Sequence, residues 1–275
     1  MKKQFLLLLA ACSLSIGFVS ASHLMGGEIT WTCNSAQQYV FHMKLYRDCN
    51  GSPGPNSVIL NTNVPGFSTG INCSLVSQTD NSPICNPAGP AITCAGATGT
   101  TAGAVEEFVY QSAPVVISGV PPATGYVFWF TSCCRNAAIV NLSLNQASFT
   151  LRAKMFPYNG RNANPCFDNS PRFYEIPRTI ICTGYPFVFN HNAVDDELDS
   201  LAYSWDQPLN SNTSSTVFDA PPIPYQSPYT ITSPLPGPSQ NPNNVAAVLD
   251  PVSGEVRYTS YTGGTFVFEI GIAHV

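Results

Sequence analysis

The residues best suited to chemistry form an acidic run, Asp195-Asp196-Glu197-Leu198-Asp199. Alternate carboxylates at Asp195, Glu197 and Asp199 can converge on one cation, because calcium is a hard ion that takes several oxygens from a short loop. The run lacks EF-hand spacing and the glycine at that motif's sharp bend. A solvated, Asp-rich turn is the other reading of the same residues. Calcium is the one cofactor this sequence brings forward.

The cysteines are the second chemical signal. There are ten in the chain, and in an exported protein that number argues for disulfides. The candidates are Cys33, Cys49, Cys73, Cys85, Cys94, Cys133, Cys134, Cys166 and Cys182. Cys133 and Cys134 are adjacent, and neighbours on a strand face opposite sides, so each thiol is expected to serve a different partner. Paired C-x-x-C or Cys/His spacing for zinc is absent. Cys166 and Cys182 lie beyond the other cysteines and pair by elimination, clipping a lead-in segment to the first strand of the second half.

Signals for catalysis are missing. There is no G-x-S-x-G and no glycine-rich phosphate loop after a strand, and no cysteine sits near a histidine motif. His23, His42, His191 and His274 are scattered singly and read as strand or loop residues. Glu106-Glu107 and Asp195-Asp196 are sequence neighbours, which rarely oppose one another as glycoside hydrolysis requires. The expectation is a protein that is not an enzyme.

Lys2 and Lys3 precede an apolar run from Phe5 through Val19, which ends in Val19-Ser20-Ala21, the form of a secretory signal over residues 1–21. Ser22 is then the mature N-terminus. A lipoprotein box at Leu9-Ala10-Ala11-Cys12 offers a competing cut that would anchor the chain through Cys12, but the apolar run continues past it. No second stretch approaches the roughly 20 apolar residues that span a bilayer. Charged residues make up only 10% and the net charge is -5, which disfavours nucleic acid as a partner.

The elements that must position these residues are strands. Ile29, Trp31 and Cys33 alternate with Thr30 and Thr32, and after a turn at 34–37 Tyr39, Phe41, Met43 and Leu45 alternate with Val40, His42, Lys44 and Tyr46. This is the period-two pattern of an opening hairpin. From Asp48 to Ala104 the chain reads as a long loop pinned by cysteines. Short strands are expected at 107–110, 114–117, 126–130 and 148–155, then at 179–182, 187–190, 201–205, 255–259 and 265–273. The eight prolines between Ala220 and Asn244 predict an extended surface loop. Tyr225, Tyr229 and Tyr261 either form a contact surface there or pack that loop down.

The fold class expected is all-β: two consecutive, disulfide-stabilised β-sandwich domains of the Ig-like or cadherin-like kind, over residues 22–156 and 157–275. The last strand runs straight to Val275, which suggests that the polypeptide continues.

Three stretches carry a resemblance. Ser22-His23-Leu24-Met25-Gly26-Gly27-Glu28-Ile29, Leu45-Tyr46-Arg47-Asp48-Cys49 and Cys133-Cys134-Arg135-Asn136 resemble the N-terminal region of large, adhesin-like surface proteins of Bacteroidetes, associated with gliding motility and type IX secretion. The second half is similar to cadherin-like or PKD-like modules, through Ala193-Val194-Asp195-Asp196-Glu197-Leu198-Asp199-Ser200-Leu201-Ala202-Tyr203-Ser204 and Leu249-Asp250-Pro251-Val252-Ser253-Gly254-Glu255-Val256. Glu197 and Leu198 stand where that pattern has Asp and Gly. The resemblance implies a secreted, outer-surface structural or adhesive module of a larger protein, with a surface glycan or protein as ligand. A carbohydrate-binding accessory module of a polysaccharide-degrading enzyme is the alternative, and it requires an exposed row of coplanar aromatics.

Overall fold

The structure is a computed structural model describing residues 24–83, 92–95, 103–133, 135–136, 138–144, 147–157, 166, 168–177, 180–211 and 220–274. It is all-β, with no helix among the described residues. The leader at 1–21, Cys85 and Cys134 lie outside them.

The opening hairpin forms as the alternation requires. β1 (Leu24–Cys33) pairs antiparallel with β2 (Tyr39–Asp48), with Ile29 opposite Met43 and Trp31 opposite Phe41. Its turn is fixed by Asn34, whose Oδ1 accepts the N–H groups of Ala36 and Gln38 at 3.0 and 2.9 Å, the local bonding that suits Asn to turns. Five further strands complete the sheet: β3 (Ser57–Thr62), β4 (Ile71–Asp80), β5 (Val105–Ser112), β6 (Tyr126–Ser132) and β7 (Phe149–Met155). The seven strands run in the order β1-β2-β5-β4-β3-β6-β7.

This single sheet replaces the two stacked sheets expected for the first half, because its ends curl toward each other. A Cβ placed on Gly27 of β1 would lie 2.8 Å from Cδ1 of Leu151 on β7. The glycine thus permits a close approach, and the sheet is nearly closed and barrel-like. Its interior holds Phe41, Met43, Leu60, Tyr110, Phe128 and Phe149, all fully buried or nearly so, with the Phe41 and Phe128 rings 4.5 Å apart. Burial of such side chains contributes about 1.5–3 kcal/mol each relative to exposure.

The stretch read as one long loop contains β3 and β4. Its signal was short: Ile71 and Cys73 point inward while Asn72 and Ser74 point out. By contrast, 114–117 supplies only an isolated bridge from Val115 to Tyr39, and no strand forms at 180–182 among the described residues.

The second half carries shorter strands. β8 (Arg172–Phe173) pairs with β10 (Ala193–Val194). β9 (Pro186–Asn190), β12 (Val245–Leu249) and β13 (Glu255–Thr259) form one sheet in the order β12-β13-β9, and β11 (Leu201–Asp206) pairs with β14 (Glu269–His274). Phe187, Leu249 and Val256 from the three-stranded sheet share one cluster with Trp205 and Ile270 from the pair.

The halves interlock. Asn141 is fully buried; its Nδ2 donates to the carbonyls of Pro234 and Val267 at 2.7 and 2.6 Å, and its Oδ1 accepts the Val267 N–H at 3.0 Å. Beside it Leu142, Ala147 and Ile223 form a small core of their own. The proline-rich segment keeps Pro221, Pro222, Pro224, Pro228, Pro238 and Pro242 exposed, as expected of a surface loop, but it is anchored by Ile223, Pro234, Leu235 and Pro236, which are buried. Prolines cannot donate to a ladder, but their carbonyls can accept, and Asn141 uses one.

Candidate functional site

The acidic run lies between β10 and β11, and the backbone there is organised by Asp195. Its side chain is nearly buried. Oδ1 accepts the N–H groups of Glu197 and Asp199 at 3.1 and 2.9 Å. The turn forces Leu198 to φ 63°, the left-handed region, with its side chain 90% exposed. Glycine adopts that conformation freely and leucine does not.

The three expected calcium ligands do not converge on one point. Oδ2 of Asp195 lies 2.9 Å from Nε2 of His274 at the end of β14. Glu197 turns toward the lead-in segment, where its Oε1 accepts Asn169 Nδ2 at 2.7 Å. Asp196 pairs with Arg172 at 2.7 Å on the surface, and that bond is the main reason its carboxyl is held below the usual range. Such exposed pairs contribute little to stability.

Asp199 meets two residues the acidic run did not include. One ligand-type atom each from Asp168, Asp199 and His274 falls within 4.8 Å of the others. Asp168 is fully buried, and after burial itself its charge is the next cause pushing the Tyr39 phenol up. Two carboxylates and an imidazole can hold a divalent cation. They fall short of the six to eight oxygens that calcium takes. Of the three acids expected to hold calcium, Glu197 is turned to Asn169, while Asp195 and Asp199 both lie beside His274. Sequence reasoning missed Asp168, a lone acid in a polar stretch, and took His274 as an ordinary strand residue.

The lead-in segment is fastened to the first half beside this group. Cys166 is bonded to Cys33, at the end of β1, with Cα atoms 5.9 Å apart. Asn169 Oδ1 accepts the Cys33 N–H at 2.6 Å, and Ser170 Oγ accepts the Trp31 N–H at 2.8 Å. Elimination gave Cys166 the wrong partner. Among the described residues Cys182 is an exposed free thiol and Cys73 a buried one, facing the interior of the sheet. Cys49 at the end of β2 is bonded to Cys94, and Cys133 is disulfide-bonded as well.

The aromatic side chains near the proline-rich segment pack rather than line up. Tyr225 joins the small core between the halves, Tyr229 lies 5.9 Å from the Phe266 ring, and Tyr261 is set against Gly184. A pocket of about 270 Å³ opens beside Cys182, lined also by Ile180, Tyr185, Phe187 and Phe189, and carries no charged side chain. No helix among the described residues is long and apolar enough to cross a membrane.

Comparison with models of known protein families, with curated proteins and with solved structures finds no match, so the chain's function is argued from its own geometry.

Proposed function

We propose that this chain is a secreted, non-catalytic structural and adhesive module of a larger cell-surface protein, built from a barrel-like first half and a smaller β second half. The observation that carries this reading is the Cys33–Cys166 disulfide. It joins the end of the first strand to the segment leading into the second half, so tension along the chain meets a covalent bond before it meets the junction. Disulfides persist in oxidising surroundings outside the cytosol. An all-β body with interlocked halves suits a spacer that transmits load.

The reading is tested in the producing cells, with a tag inserted in the chain. Antibody is expected to label intact cells, and deletion of the chain is expected to reduce retention on a surface under flow. Labelling only after lysis, or unchanged retention, contradicts it.

A further inference from the structure

Glu269 begins β14 where the two halves meet, and it stands opposite another carboxylate. Its register partner on β11 is Asp206, so two acids are direct neighbours on one face of the pair, an arrangement that destabilises when both are charged. The counter-charge comes from the first half. Arg135, in the segment after β6, donates from Nη2 to Oε1 of Glu269 at 3.2 Å and to the Leu209 carbonyl at 3.4 Å. Arg135 is 3% exposed, lies 5.1 Å from the Phe149 ring centroid, and its Nε has no hydrogen-bond partner among the described residues. Arg152 of β7 and Tyr225 of the proline-rich segment are the other charged or titratable groups around Glu269. The 3.2 Å contact to the buried Arg135 guanidinium, with the charge of Arg152 as a lesser aid, must therefore offset both the partial loss of water at Glu269, whose side chain keeps 29% exposure, and the Asp206 charge.

We propose that docking of the two halves takes up a proton at Glu269, making the joint a latch that holds more firmly in mildly acidic than in alkaline surroundings.

The electrostatics agree with the geometry. Burial is the largest influence on Glu269 and pushes its carboxyl up to about 7, with Arg135 opposing and Asp206 assisting. Burial likewise pulls Arg135 down. When the joint opens, Glu269 returns toward its ordinary value of 4.5. Between those two values the docked form holds a proton that the open form has released. Opening therefore becomes about tenfold easier for each pH unit gained across that window, and levels off above it. The total change is on the order of a hundredfold. The latch operates in this way whether or not the chain is displayed on a cell.

Hydrogen exchange of the full, oxidised chain between pH 4.5 and 8.5, corrected for intrinsic rates, reads this directly. Protection at 139–142, 223–226 and 265–269 is expected to fall as pH rises to 7 and then level off, while the β1–β2 hairpin shows no such step. Glu269→Gln is expected to remove the step. Should that variant not fold, Asp206→Asn decides the matter, by moving the step to lower pH. A flat wild-type profile, a step that persists in Glu269→Gln, or an unmoved step in Asp206→Asn overturns the proposal.

Discussion

Cys33 and Cys166 are bonded across 133 residues of sequence, and the bond fastens the end of the first strand to the segment leading into the second half. Around it Asn169 and Ser170 bond to the backbone of Cys33 and Trp31, so the covalent tie sits inside a hydrogen-bonded joint. The loop it closes includes β2 to β7 and only the last residue of β1.

Replacing both cysteines by serine should therefore lower stability substantially. A closed loop of this length corresponds to about 5 kcal/mol in the chain-entropy description, and measured losses are about 2–5 kcal/mol. Denaturant unfolding of Cys33→Ser/Cys166→Ser against the parent checks this; a loss under about 1 kcal/mol contradicts it.

Asn141 should matter nearly as much. Its side chain supplies three hydrogen bonds to segments of the second half from a fully buried position. Asn141→Ala leaves two carbonyls and one N–H without partners, each costing about 1–3 kcal/mol when buried. A total loss of about 3 kcal/mol is expected in the same unfolding measurement.

Leu198→Gly should act in the opposite direction. Leucine is held at φ 63° with its side chain almost wholly exposed, so the substitution forfeits no packing. It relieves a left-handed strain of about 1–2 kcal/mol and incurs the entropy of glycine, about 0.5–1 kcal/mol. A gain of up to about 1 kcal/mol is expected, and a clear loss would show that the leucine has a role beyond the turn.

The two free thiols among the described residues should differ sharply. Cys182 is exposed, whereas Cys73 is buried and burial pushes its thiol up to about 11. Thiolate is the reactive form. Iodoacetamide applied to the folded chain at pH 8 should label Cys182 and spare Cys73, as read by peptide mass mapping. Only after denaturation should Cys73 react.

The sequence made the opening hairpin legible because its alternation runs unbroken through Trp31 and Phe41, whose side chains face the core. It did not make β3 and β4 legible: their inward residues are few and stand among turn formers, and pairing with distant neighbours decides their fate. Closure of the first sheet depends on Gly27 approaching Leu151, a contact no local pattern encodes. The acidic run was legible as a tight turn, and Leu198 marks the position where the similar pattern has glycine. Its partners were not, since Asp168 and His274 reach Asp199 from segments far apart in the chain. Pairing cysteines by elimination failed for a related reason: it treated the halves as separate, while the chain bonds across them.

Single-molecule pulling from both ends of the chain reads whether the Cys33–Cys166 bond carries tension between the two halves, as proposed. In oxidising buffer the 133-residue loop between these cysteines should stay closed, so that the unfolded contour falls short by that length, at about 3.3–3.6 Å per residue. Reduction, or the double serine variant, should restore the missing length. Full extension of the oxidised chain would contradict the account.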